Sequence, residues 1–199
     1  MKKAKRFLTG LLSAALALSL CAMPAMAAEG SGTITSTINT AQKGSLTINK
    51  YEGNEAKEDN LLDGVTFTAY KVADIVQSTT EAGTTDVKMQ PVEALTTIDP
   101  DIQITSETKY DDIKDTVEKA LAKDADPKLT AFATATTGDN GTKGQAVFNE
   151  MLVGVYLIVE TDAPSQIVNK TANFLVSIPM ANEDGTGWNY NIVANPKNA

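Results

Sequence analysis

The C-terminal segment from Gly185 to Asn198 constrains the fold most, because as an extended strand it would present two chemically different faces. Successive side chains of a strand point to opposite sides, so every second residue shares a face. One face carries the mostly apolar set Trp188, Tyr190, Ile192, Ala194, Pro196 and Asn198, and the other carries Asn189, Asn191, Val193, Asn195 and Lys197. We therefore expect a strand that covers a core, with Asn198 directed inward and Lys197 outward.

Earlier segments show similar strand patterns. Ser45 to Tyr51 alternates so that Lys50 continues the apolar face of Leu46 and Ile48. Further strands are predicted at 65–72, at 145–148, from Val153 to the residues before Pro164, and at 174–180. The Thr-rich stretch from Gln77 to Lys88 and the Gly138-Asp-Asn-Gly sequence are predicted to be a loop and a turn.

Residues 106–135 change to a helical period. Apolar residues recur at Tyr110, Ile113, Val117 and Leu121, and Pro127 ends the run. Leu129 to Ala135 is predicted to add another turn. The narrow apolar stripe favours a helix packed on its own domain, and a partner-binding helix is the alternative. Regular strands with this interruption predict a mainly β fold, an immunoglobulin-like β-sandwich with a helical insertion around residues 106–135.

The N-terminal residues predict export. Four basic residues and an apolar run precede Ala25-Met-Ala27, as in a signal peptide at 1–27. We expect a flexible leader at 28–43 and one folded domain at 44–199. Loss of the signal peptide changes the formal charge from -8 to -12. Such an acidic chain is expected to bind neither nucleic acid nor a membrane surface.

The mature chain lacks two reactive side chains. There is no histidine, and the single cysteine, Cys21, leaves with the signal peptide. A Ser-His triad, a thiol protease and a structural zinc site are therefore excluded within this chain, and we expect no metal and no cofactor. The missing disulfide leaves an exported domain without its usual covalent brace.

Two charged residues sit where apolar burial is expected. Lys50 either reaches water at the end of its strand or is buried with the apolar face. Glu160 ends an apolar run, where an ionised carboxylate is costly unless it is paired.

These segments resemble those of a known family. Residues 188–197 resemble the pilin motif Trp-x-x-x-Val-x-Val-Tyr-Pro-Lys of sortase-assembled Gram-positive pili: Trp188, Pro196 and Lys197 match, Ile192 replaces the first Val, and Ala194 and Asn195 depart from the pattern. Leu62 to Tyr70 looks like the second strand of a CnaB-type immunoglobulin-like domain, and Tyr156 to Pro164 is similar to the family's E-box. The chain thus resembles the N-terminal domain of a SpaA-type major pilin.

The resemblance implies two cross-links. Lys50 and Asn198 match the residues of an internal isopeptide bond, and Glu160 matches the acid that promotes it. An apolar site favours the neutral amine and the protonated carboxyl that such a reaction needs. Lys197 matches the lysine that accepts the sortase-activated C-terminus of another subunit.

The implied function is that of a structural subunit of a covalent surface pilus. It is not an enzyme beyond one autocatalytic turnover, it is secreted to the cell wall, and its partners are a pilin-class sortase and other pilin subunits. No LPxTG-like signal follows Asn198, so we expect a fragment of a longer pilin. The alternatives are an adhesin that binds a host surface ligand through loops such as Gln77 to Lys88, and a secreted enzyme.

Overall fold

The computed structural model describes residues 37–53, 55–79, 85–168, 170–183 and 186–196. The predicted signal peptide and both Lys197 and Asn198 lie outside these ranges. The strands are β1 (Gly44–Asn49), β2 (Thr66–Thr79), β3 (Thr85–Pro91), β4 (Ala131–Thr136), β5 (Gln145–Met151), β6 (Gly154–Asp162), β7 (Phe174–Ile178), β8 (Met180–Ala181), β9 (Trp188–Asn189) and β10 (Asn191–Ala194). The helices are α1 (Glu93–Thr96) and α2 (Tyr110–Leu121), with a 3-10 turn at Glu58–Asn60.

Two sheets form the sandwich. In the first, β1 lies between β10, which runs parallel to it, and β5, which is antiparallel. In the second, β2 pairs with β6, which pairs with β7, while β3 and β4 pair with different parts of β2. Strands β8 and β9 form a separate two-stranded ribbon. The predicted mainly β fold is confirmed.

A continuous apolar layer, here called the sandwich core, fills the space between the sheets. Strands β1 and β10 contribute every second residue to it, as their alternation predicts. Its buried members include Leu46, Ile48, Phe67, Ala69, Phe148, Tyr156, Ile158, Val176, Ile192 and Ala194. Because Lys50 is the next inward position after Ile48, it lies at the end of this layer.

A second apolar cluster, here called the helix-side core, includes residues from both helices and from the five-stranded sheet. Its buried members include Val72, Ile75, Leu95, Ile113, Val117, Val155, Leu157, Leu175 and Tyr190. Strand β6 is therefore covered on both faces, with Tyr156 and Ile158 in one core and Val155 and Leu157 in the other. This explains its nearly continuous apolar sequence.

Two sequence predictions were wrong. Most of the predicted loop from Gln77 to Lys88 is a hairpin, because β2 extends to Thr79 and pairs with β3. The predicted extra helical turn at Leu129 to Ala135 is mostly strand β4, so the helix in this region is α2 alone. Both segments are rich in threonine, which favours extended backbone.

Part of the predicted flexible leader packs on the domain. Ile38 is 2% exposed and belongs to the helix-side core. Within the described ranges, no helix has the length and apolar content that a bilayer crossing requires.

Candidate functional site

Lys50 is fully buried. It directly follows β1, and the alternation of that strand turns it inward with Leu46 and Ile48, all three being 0% exposed. Its ammonium donates a hydrogen bond to Glu160 Oε2 at 3.0 Å. Of the two environments that the sequence allowed for this lysine, the structure has the buried one.

Glu160 comes from the opposite sheet. It lies near the end of β6, where it is in register with Phe67 of β2, and its side chain is 1% exposed. Its Oε2 atom accepts hydrogen bonds from Lys50 Nζ and from the Thr171 N–H, the latter at 2.7 Å. Its Oε1 atom is buried and has no hydrogen-bond partner within the described part of the chain.

Thr171 completes the cluster and was missed by the sequence analysis. It lies between β6 and β7, is 5% exposed, and its Oγ1 accepts a hydrogen bond from Lys50 Nζ at 2.9 Å. Residues 163–173 have no apolar periodicity, so no signal in the sequence pointed to this threonine.

A buried ion pair of this kind is an expensive way to stabilise a fold. Two charges lose their hydration on burial, and the attraction between them repays this only when the remaining polar atoms are also satisfied. Among the residues that the structure describes, one carboxylate oxygen has no hydrogen-bond partner, and an unpaired buried polar atom typically costs about 1–3 kcal/mol. Such an arrangement is typical of a site that performs chemistry.

Strand β10 brings the C-terminal segment beside Lys50. It pairs in parallel with β1, from Ser45 opposite Asn191 to Ile48 opposite Ala194. The side-chain amide of Asn49 then donates a hydrogen bond to Asn195 Oδ1 at 2.9 Å, so the two segments remain adjacent beyond the last paired residues.

Burial alternates along this strand as predicted. Ile192 and Ala194 are each 7% exposed, whereas Val193 is 62% exposed. Pro196, like Tyr190, is buried. The predicted alternation is thus confirmed from Tyr190 to Pro196, and the inward Asn198 and outward Lys197 remain predictions.

The regular strand predicted from Gly185 is interrupted at Tyr190. Trp188 belongs to β9, where it is paired with Ala181, and it is half-buried against the helix-side core. Ile192, two residues beyond Tyr190, packs in the sandwich core. The apolar face of this segment therefore packs partly in the helix-side core and partly in the sandwich core.

No group of three or more cysteine, aspartate or glutamate side chains is placed to hold a metal ion in the described ranges. Two surface grooves share Lys71, Val92 and Glu93, and neither is lined by Lys50, Glu160 or Thr171. The buried Lys50–Glu160–Thr171 cluster is therefore separate from both grooves.

Known proteins with similar sequences are fimbrial subunits. The chain is 30% identical over 179 residues to the type 2 fimbrial subunit of Actinomyces naeslundii, covering 81% of this chain and 30% of that protein. It is 39% identical over 90 residues to the type 1 fimbrial subunit of Actinomyces viscosus, covering 44% and 15%.

Among solved structures, the full-length major pilin SpaD of Corynebacterium diphtheriae is 33% identical, with 81% of this chain and 31% of that chain covered and a TM-score of 0.47. The major pilin SpaA of the same organism is 22% identical, with 78% and 30% covered and a TM-score of 0.44. The chain thus spans about a third of the length of the full-length pilins it matches.

The family model that matches describes the N-terminal domain, D1, of Gram-positive pilin subunits, and it matches residues 29–199. Because this match includes every residue that the structure describes, the chain belongs to the family of Gram-positive pilin subunit D1 domains.

Proposed function

We propose that this chain is the lysine-donating N-terminal domain of a covalent surface pilus, and that an internal Lys50–Asn198 isopeptide bond stabilises it. The observation that carries the proposal is the buried contact between Lys50 and Glu160, whose other carboxylate oxygen has no partner among the described residues. The chain is secreted under this proposal and is displayed at the cell surface as part of the pilus.

The register of β10 supports the choice of Asn198. The observed pairing ends with Ile48 opposite Ala194. If the same register continued, position 196 would lie opposite Lys50, and residue 198 would be the next inward position. Two residues advance a strand by about 6.6 Å, a diagonal offset that a long lysine side chain can span. Ile192, Ala194 and Pro196 are all buried, which favours an inward side chain at 198 as well.

The reaction forms an amide and releases ammonia. The Lys50 ammonium first transfers a proton to the Glu160 carboxylate. The resulting neutral amine attacks the Asn198 carboxamide carbon, while the protonated carboxyl donates a hydrogen bond to the carboxamide oxygen. A Lys50–Asn198 amide bond forms, the bond from that carbon to the Asn198 nitrogen breaks, and Glu160 transfers the lysine proton to the leaving nitrogen. The unpartnered Glu160 Oε1 is the atom suited to this contact.

Lys197 has the intermolecular role under this proposal. Val193 is exposed and Asn195 is only partly buried, so by alternation we expect Lys197 to face outward as well. A sortase would hold the C-terminal threonine of another subunit as a thioester, and the Lys197 amine would displace the sortase cysteine to form the intersubunit amide. The partners are therefore a pilin-class sortase and other pilin subunits.

Intact mass spectrometry tests the internal bond. The secreted wild-type domain should be lighter than its sequence by one ammonia, and Lys50→Ala, Glu160→Ala and Asn198→Ala should each restore the full mass. Lys71→Ala is the matched control, because Lys71 pairs with Asp74 in a partly exposed ion pair away from the cluster. A wild-type domain with its full mass would reject the bond.

A linkage assay tests Lys197. The domain, a pilin-class sortase and an LPxTG-type donor should give a product whose peptide map places the donor on Lys197, and Lys197→Arg should abolish it. Lys43→Arg, which changes an exposed lysine in an ion pair with Glu150, is the control and should leave the yield unchanged. Equal yields from wild type and Lys197→Arg would favour the adhesin alternative.

A further inference from the structure

Ile38 and Asn39, two consecutive residues of the leader, are each hydrogen-bonded to a side chain that is distant in sequence. In both cases the side chain binds the backbone N–H and the backbone carbonyl of the same residue. The Gln77 side-chain amide accepts from the Ile38 N–H at 2.9 Å and donates to the Ile38 carbonyl at 2.7 Å. The Tyr190 hydroxyl accepts from the Asn39 N–H at 2.8 Å and donates to the Asn39 carbonyl at 3.3 Å. We call Ile38, Asn39, Gln77 and Tyr190 the leader clamp.

The clamp ends at the start of the C-terminal strand. Tyr190 immediately precedes β10, and its carbonyl accepts a hydrogen bond from the Ser45 N–H at 2.8 Å. Gly44 lets the two backbones approach, since a Cβ at that position would clash with the Tyr190 carbonyl oxygen. The Tyr190 backbone is thus tied to the start of β1, and its side chain is tied to the leader.

Burial alone does not determine the position of β10 along β1. A one-residue slip would exchange the buried and exposed faces, so the apolar pattern opposes it. A two-residue slip keeps both faces but moves residues 197 and 198 by about 6.6 Å along the strand. In the proposed reaction, that displacement would separate Asn198 from Lys50 and Glu160. A misplacement of about 1 Å between reactive groups can already slow a reaction about a hundredfold.

We infer that Tyr190, acting with the leader backbone at Ile38 and Asn39, is the residue that positions the C-terminal strand for both cross-links. Its hydroxyl and carbonyl fix where β10 begins on β1, and thereby where Asn198 and Lys197 are presented. Tyr190 is a positioning residue, since its hydroxyl and carbonyl bind Asn39 and Ser45 and not the Lys50–Glu160–Thr171 cluster. The inference rests on the proposed isopeptide chemistry and gives a role to a residue at one of the variable positions of the pilin motif.

The test is a time course of ammonia loss. The mature chain is made by cell-free synthesis, aliquots are denatured at intervals, and intact mass gives the fraction that has lost ammonia. Tyr190→Phe removes only the hydroxyl that holds Asn39, and deletion of residues 28–40 removes its partner. Each change should slow ammonia loss on the order of tenfold, because the reacting groups spend less time in position.

Matched controls separate this effect from general damage. Asn39→Ala keeps both backbone groups that Tyr190 binds and should react at the wild-type rate. Tyr110→Phe removes the hydroxyl of a partly buried tyrosine of α2 and should also react normally. Tyr190→Phe combined with the deletion should be no slower than the deletion alone, since both remove the same contact.

A second readout distinguishes positioning from stability. Rates are measured well below the melting temperature of every variant, so that all of them are folded. Under this condition, loss of a merely structural residue would lower the melting temperature but would slow neither reaction. The yield at Lys197 in the linkage assay should fall with the rate of ammonia loss.

The outcomes separate the two proposals. Wild-type ammonia loss with unchanged rates in Tyr190→Phe and in the deletion overturns the positioning role and leaves the isopeptide intact. A wild-type chain that keeps its full mass overturns both.

Discussion

Glu160 accepts a hydrogen bond from Lys50 at 3.0 Å, although the two residues are 110 positions apart in the chain and belong to opposite sheets. Lys50 follows the central strand of the three-stranded sheet, and Glu160 lies on β6 of the five-stranded sheet. The pair therefore bridges the two halves of the sandwich at one end of the apolar layer. Thr171 contacts both partners and holds them in this geometry.

Removing the lysine alone should destabilise the domain more than removing both charges. Lys50→Met leaves Glu160 buried without its cation, a change that typically costs about 3–5 kcal/mol. The double variant Lys50→Met/Glu160→Leu should recover much of this loss, because no charge remains to be buried. Neither variant can form the isopeptide bond. The difference between their unfolding free energies, measured by urea denaturation, therefore reports the cost of the buried carboxylate alone. Equal unfolding free energies would contradict this account.

Thr171→Val should slow ammonia loss while keeping the shape of the side chain. The variant removes the hydroxyl that accepts from Lys50 but retains the backbone N–H that binds Glu160. A hydrogen bond to a charged group contributes about 1.5–3 kcal/mol, so the loss should be visible in both the rate and the stability. Thr171→Ser keeps the hydroxyl and serves as the control. A Val variant with the wild-type rate would show that the hydroxyl is dispensable.

Val117→Ala should weaken the fold without affecting the chemistry. Val117 is 0% exposed on α2, in the helix-side core and not in the sandwich core. The cavity and the lost apolar contact should lower the unfolding free energy by about 2 kcal/mol. Ammonia loss should still reach completion. The control is Lys114→Ala at an exposed position, which should change the unfolding free energy by less than about 0.5 kcal/mol. Incomplete ammonia loss in Val117→Ala would contradict the prediction, since it would show that the chemistry depends on the helix-side core.

Tyr156 should make the fold sensitive to alkaline pH. Burial raises the pKa of this hydroxyl above its ordinary value. The hydroxyl also donates a hydrogen bond to the Leu152 carbonyl at 2.8 Å, which only the neutral phenol can make. The neutral phenol is thus favoured in the folded state, so its contribution is complete below pH about 10 and is lost as the pH rises beyond that value.

The comparison with Tyr156→Phe measures this contribution. Both proteins carry the same lysines, so the difference between their unfolding free energies cancels the other alkaline titrations. The wild type should lose more stability than Tyr156→Phe between pH about 9 and about 11. Parallel curves over this range would show that the Tyr156 hydroxyl does not contribute.

The inward position of Lys50 could be predicted because β1 has one covered face and a strict period of two. Because Leu46 and Ile48 face the core, the period of two in a regular strand places Lys50 on the same, inward face. The same argument predicted the exposure of Val193 and the burial of Ile192 and Ala194. Glu160 stood out because a charge ended a strand that was otherwise apolar.

Other features depend on contacts that the sequence does not encode locally. The hairpin formed by β2 and β3 has few large apolar residues beyond Val76, so its threonine-rich sequence predicts a loop. Strand β4 alternates only small alanines and threonines after Phe132, and gave no strong period. Thr171 and the contact of Tyr190 with Asn39 depend on segments distant in sequence, which only the folded chain brings together.

The parallel pairing of β1 with β10 has a mechanical consequence. Parallel neighbours run in the same direction, so Gly44 begins at one pole of the sandwich and Ala194 ends at the other. Tension between these two points would shear the strands along their length and load all of their hydrogen bonds together. Peeling, in which bonds break one after another, would require the strands to be antiparallel. A pull applied between the start of β1 and the end of β10 thus acts in the direction in which a β-ladder resists it best.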